Sequence, residues 1–119
     1  MATHKKEIVL TELTVRALKA RRRRLVAGLP DVAGYLAGSL VEQSRRCGKP
    51  GCRCAGGDLH GPYVYLSVGK ATGRRGLVYV PAALADLVAE KVALSESAQE
   101  LLGKISAVNL ELLARQELE

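Results

Sequence analysis

The sequence contains no phenylalanine, no tryptophan and a single methionine among its 119 residues. A large aromatic core is therefore excluded, and burial has to come from leucine, valine, alanine and a few isoleucines. Such side chains each remove little area from water, so the fold either uses many of them or draws on a metal or on dimerisation. Long apolar runs are missing too: no stretch approaches the roughly 18 residues of a membrane-spanning helix. Met1, Ala2, Thr3, His4, Lys5 and Lys6 lead into only three consecutive apolar residues, 8–10, too few for the core of a secretion signal. The expectation is a cytoplasmic protein with no membrane partner. Cysteine stops at three, all within residues 47–54. A small odd set, so crowded, argues against a disulfide framework and for reduced thiols gathered on a metal. With two histidines and no nucleophile elbow or triad context, the chain reads as a non-enzyme.

What is present is positive charge, unevenly spread. Lysine and arginine total 18 against 12 acidic residues, a net of +6. Residues 1–31 carry eight basic and three acidic side chains, residues 32–80 seven and two, and residues 81–119 three and seven. The first two blocks are thus +5 each and the last −4. Such a pattern directs a polyanionic partner to the first two thirds of the chain.

At this length the chain is one domain with an appended helix, of the α+β class. Residues 1–10 read as a flexible lead-in. Residues 11–29 read as a basic helix, with Leu13, Ala17, Ala20 and Leu25 at rough 3–4 spacing and Leu29, Pro30 and Asp31 as the stop. Four consecutive arginines in it wrap more than one turn, so at least one lies near the apolar face and has to snorkel or find a partner. Residues 38–80 read as a small three-stranded antiparallel sheet carrying a zinc loop. Its strands are residues 39–46, 63–68 and 77–80, and a basic hairpin joins the last two. On the middle strand Val64, Leu66 and Val68 face one side and Tyr63, Tyr65 and Ser67 the other. Residues 81–118 read as a long C-terminal helix or helix pair. Leu84, Leu87, Lys91, Leu94, Ala98, Leu101, Ile105, Val108 and Leu112 form a heptad seam with one polar interruption, as in a coiled coil. Ser95, Ser97 and Gly103 are its weak points. A single helix of that length outruns a small core, so its surplus pairs with the N-terminal helix or with a second chain; a homodimer is the favoured outcome.

The sharpest signal is Cys47, Cys52 and Cys54 followed by His60. Zinc takes four tetrahedral nitrogen or sulfur ligands, and this glycine-rich loop offers three thiolates and an imidazole within 14 residues. The spacing is not that of a zinc finger or ribbon, which shows two separated Cys-x2-Cys pairs. His60 is the candidate fourth ligand, with His4, an acidic side chain or water as alternatives. A catalytic zinc keeps an open position and a nearby base; only Asp58 and Glu42 are close in sequence, which favours a structural site. Lys49 and Arg53 could also lower a thiol pKa and make a nucleophile, a reading with no supporting catalytic context.

Candidate nucleic-acid ligands are Arg21, Arg22, Arg23 and Arg24 on the helix, Arg45, Arg46, Lys49 and Arg53 around the cysteines, and Lys70, Arg74 and Arg75 on the hairpin. Tyr63 and Tyr65 share a sheet face, and Tyr79 on the return strand can lie beside them. Cations interleaved with aromatic rings suit phosphates and bases. The bland alternatives are a solvated arginine face and tyrosines packed under a helix.

The segment Arg46, Cys47, Gly48, Lys49, Pro50, Gly51, Cys52, Arg53, Cys54, then Leu59, His60, Gly61, Pro62, Tyr63, and later residues 74–81, resembles a family of small uncharacterised prokaryotic proteins. These share a Cys-Gly-Lys-Pro-x-Cys-x-Cys loop, a His-Gly-Pro-Tyr turn, a basic hairpin and a long C-terminal helix. The resemblance covers residues 38 to about 115 and leaves the arginine helix outside. It implies joint action of Cys47, Cys52, Cys54 and His60, and genes of the family lying near mobile elements imply work on DNA. The expectation is a small zinc-containing DNA-binding accessory or regulatory protein, the zinc being structural. A protein-interaction module with the same zinc, and an RNA-binding protein, are the alternatives.

Overall fold

The computed structural model describes residues 8–57, 59–69, 72–73 and 76–119. The fold is α+β, with an N-terminal helix, a three-stranded antiparallel open sheet and a long C-terminal helix. Two compact units divide it: the residues up to Pro30 together with Ser97–Glu119, and Asp31–Glu96. Among the described residues no helix is long and apolar enough to cross a membrane.

In the first unit, helix α1 spans Val15–Ala27. Sequence places its start at Thr11, but Leu10–Glu12 forms a separate 3-10 turn. Thr14 is the cap instead: it is extended, and its Oγ1 accepts from the Ala17 amide at 3.0 Å. That bond satisfies one of the amides the first helical turn leaves without a partner. The Gly28 amide closes the other end on the Arg24 and Leu25 carbonyls. Leu18, Val108 and Leu112 are fully buried, with Leu10, Leu13, Val15 and Leu25 packed around them. Arg115 holds the 3-10 turn before α1 by donating to the carbonyls of Leu10 and Thr11, each at 3.1 Å, and of Leu13, while pairing with Glu111 at 2.9 Å. Most of the expected lead-in, residues 1–7, lies outside the described residues.

In the second unit the sheet runs β1 (Ser39–Arg45), β2 (His60–Val68) and β3 (Gly76–Val80), in that order. Cross-strand register fixes the faces, because directly opposed residues point to the same side. Leu66, paired with Leu40 and Val78, and Val64, paired with Val80, face one side. Val41, Tyr65 and Tyr79 face the other. On the first side Leu66, Val80 and Val92 are buried, with Val64, Val68, Val78, Ala85 and Val88 packed against them.

Helix α2 covers Ala85–Ala114 without a break, about 45 Å at the usual rise. None of the suspected weak points, Ser95, Ser97 and Gly103, interrupts it. Ser95 is buried, with its hydroxyl bonded to the Val92 carbonyl at 2.7 Å. The heptad seam holds only in part. Ala98, Val108 and Leu112 are buried as the seam requires, whereas Leu84 and Leu87 are 46% and 48% exposed. In the first half the buried positions are Val92 and Ser95, one residue on from Lys91 and Leu94. The cause is geometric: a straight helix drifts against a strict seven-residue repeat, and its two halves serve two different cores. The Lys91 stem lies against Gly34 in its own unit, and the surplus length of the helix is met by α1.

Candidate metal centre and basic sheet face

Between β1 and β2 the chain makes a tight loop whose turns depend on Gly48 and Gly51, at φ of 74° and 81°. A side chain at either would strain that left-handed backbone. The Cys52 amide bonds the Lys49 carbonyl at 3.3 Å, and a short 3-10 turn, Arg53–Gly56, follows. The loop thereby carries three thiols back to the start of β2, where His60 is paired with Arg45 across a register shift between Gln43 and Arg45.

All four candidate ligand atoms of Cys47, Cys52, Cys54 and His60 lie within 4.8 Å of one another. Cys47 Sγ is 3.5 Å from Cys54 Sγ, and Cys52 Sγ is 3.2 Å from His60 Nε2. Tetrahedral zinc with bonds of about 2.3 Å to sulfur and 2.0–2.1 Å to nitrogen needs ligand separations of about 3.5–3.8 Å. The cluster is close to that size, so these residues can hold a metal ion. His60 on a paired strand supplies the fixed member. His4 and Asp58, two other conceivable donors, lie outside the described residues.

The thiols are electrostatically unequal. Hydrogen bonds from the Cys54 backbone amide, from both other thiols and from His60 bring the Cys52 thiol down to about 6 from its usual 9.0. At Cys47 the Lys49 amide pulls down most strongly, but the Cys52 and Cys54 thiols, desolvation and the charge on Cys52 together outweigh it and raise the group. A thiolate is the metal-binding form, so Cys52 is ready to ligate at neutral pH. Cys54 is 2% exposed, and its sulfur accepts from the Cys47 amide at 3.3 Å.

Beside the cluster lies the tyrosine face. The Arg45 guanidinium sits 5.8 Å over the Tyr63 ring and 5.6 Å over the Tyr65 ring, and donates to the Tyr65 hydroxyl. Tyr79 meets Tyr65 and Tyr63 edge-on, at 5.8 and 6.4 Å between ring centres. Tyr65 is buried under these neighbours while Tyr79 is 55% exposed, so Tyr63 and Tyr79 are the rings within a ligand's reach. Tyr79 is missing from the sequence-derived ligand set. The signal for it was the symmetry of the hairpin about Thr72, which places residue 79 opposite residue 65.

The remaining candidates separate. Arg46, Lys49 and Arg53 are exposed. Lys70, Arg74 and Arg75 lie outside the described residues. On α1, Arg23 and Arg24 are exposed and Arg21 half-buried, while Arg22 donates to Asn109 Oδ1 at 2.8 Å and to the Leu118 carbonyl at 3.2 Å. Arg22 is the arginine forced toward the apolar side, and it meets neutral oxygens rather than an acid.

The fold and cluster define a small α+β protein with a Cys3His group able to bind a metal. The chain belongs to a family described as a domain of unknown function, DUF6788, whose model matches residues 15–90. That span takes in α1, all three strands and the cysteine loop, which is consistent with the expected uncharacterised family. No curated protein and no solved structure matches the chain significantly.

Proposed function

We propose that the protein is a zinc-stapled, non-catalytic DNA-binding accessory or regulatory protein. One observation carries the polyanion reading. The exposed side chains of Arg46, Lys49 and Arg53 surround the metal cluster without an ion pair to any described residue. Uncompensated cations next to accessible tyrosine rings suit a phosphate backbone. Three thiols and an imidazole favour zinc among the biological metals, and four protein ligands leave no open position for a reacting water. Genes near mobile elements, implied by the motif resemblance, agree with DNA rather than RNA as the partner. In the other unit Arg21, Arg23 and Arg24 on α1 supply further cations for a polyanion, and Arg74 and Arg75 contribute on charge alone.

The test is binding to duplex DNA, single-stranded DNA and RNA across a salt series, on protein of measured metal content. Stoichiometric zinc and a steep loss of affinity with salt are expected. Replacing Arg21, Arg23 and Arg24 with alanine, and sparing the structural Arg22, should shallow the slope on duplex by about 0.9 for each phosphate no longer neutralised. No binding at low salt would remove the DNA reading, and an absence of metal would remove the zinc.

The proposal includes a homodimer. Leu102, Leu110 and Leu113 fall on one face of α2 and are 53%, 64% and 56% exposed. An apolar row of this kind on a helix suits a second copy. A compact monomer at tens of micromolar in sedimentation would rule the dimer out.

A further inference from the structure

Two depressions lie side by side on the sheet unit and share one residue. The first, of about 440 Å³, is lined by Arg45, Arg46, Cys47, His60 and Tyr63. The second, of about 360 Å³, has Pro62, Tyr63, Tyr79 and Val80 among its lining residues. No aspartate or glutamate lines either one, and Cys47 and His60 in the first belong to the metal cluster. Their chemistry differs. Two guanidinium groups dominate the first, whereas the second is walled by a proline, two phenol rings and aliphatic groups. Tyr63 stands between them.

We infer that the pair forms a seat for one unpaired nucleotide of a DNA strand, with its phosphate at Arg45 and Arg46 and its base against Tyr63 and Tyr79. Arg45 is already held in place by its position over the Tyr63 and Tyr65 rings and its bond to the Tyr65 hydroxyl. A guanidinium has five N–H donors, so that single bond leaves others for a phosphate oxygen, and its fixed geometry lowers the ordering cost on binding. Arg46 is exposed beside it. The second depression offers a neutral aromatic and proline surface, which a base face covers and a phosphate does not. A base stacked inside duplex DNA cannot reach such a surface without leaving its neighbours. The site therefore selects single strands, or strand ends, over continuous duplex. This rests on the DNA-binding reading above and adds the form of DNA that the sheet unit recognises.

The experiment measures anisotropy of the full-length, zinc-loaded protein with a labelled oligothymidine, an abasic strand of equal length and charge, a blunt duplex, and an oligouridine. Stacking of one base makes the abasic strand about 5- to 150-fold weaker than oligothymidine. Tyr79→Ala should lower oligothymidine affinity by a similar factor and leave abasic and duplex affinities unchanged, whereas Tyr79→Phe should retain binding. Arg46→Ala should weaken oligothymidine and the abasic strand alike and shallow the single-strand salt slope by about 0.7. Equal affinity for abasic and normal strands, or an indifferent Tyr79→Ala, overturns the base seat while the wider DNA reading survives. Tighter binding of oligouridine than oligothymidine overturns the choice of DNA. Loss of every nucleic-acid signal at low salt overturns both readings together.

Discussion

Cys52 and Cys47 are chemically similar residues five positions apart, yet their thiols are pushed in opposite directions. Cys52 sits where several donors converge, and its pKa falls to about 6 from 9.0. A depressed pKa means that the folded loop favours the thiolate. Its contribution to stability is fully present above the unfolded value and disappears as pH drops through the folded one. In metal-free protein near pH 7, Cys52 should react with iodoacetamide several-fold faster than Cys47, because thiolate fraction outweighs its reduced intrinsic nucleophilicity. Mass spectrometry of peptides labelled at about pH 7 and about pH 5 checks this. The Cys52 rate itself should fall about tenfold at the lower pH while its preference over Cys47 persists, because the Cys47 thiolate is depleted more steeply still. An equal labelling rate at pH 7 would contradict the inequality.

At the scale of elements, α2 shows how local propensity yields to context. Gly103 suggests a break, but nothing lies within 4 Å of where its Cβ would be, and the helix passes through it. An exposed glycine inside a helix costs about 0.5–1 kcal/mol relative to alanine. Gly103→Ala should therefore stabilise the protein by about that amount in urea unfolding, with an unchanged denaturant slope. A destabilised variant would mean that the residue is covered in solution, as by a second copy. The start of α1 carries a related lesson. Thr11 and Thr14 are equally good caps by type, and the 3-10 turn formed by Leu10–Glu12 leaves the role to Thr14.

For the whole molecule the important fact is two small cores rather than one. Each has only three fully or nearly buried aliphatic side chains at its centre. A core that small contributes limited stability, which makes a metal clip on the sheet unit more consequential. All four tyrosines, at 35, 63, 65 and 79, belong to that unit, so near-ultraviolet dichroism reports on it alone. Chelation should lower the tyrosine transition temperature markedly and the helical signal at 222 nm less. Coincident transitions before and after chelation would show that the long helix couples the two units into one cooperative whole.

Much of this was legible in the chain itself. The alternation around Tyr63, Tyr65, Val64 and Leu66 specified a strand and its two faces, because side chains on a strand must alternate. The crowding of Cys47, Cys52 and Cys54, with His60 a few residues on, specified a cluster, because a short glycine-rich loop leaves its donors little room to disperse. Tertiary structure alone decided the rest. Which positions of α2 are buried depended on the sheet and α1 presenting different surfaces to its two halves, a fact no single helical period contains. Burial of Tyr65, exposure of Tyr79 and the seating of Arg45 over the rings depended on cross-strand register and a shift in it. Those are relations between distant segments, set by hydrogen bonding and packing rather than by the neighbours of each residue along the chain.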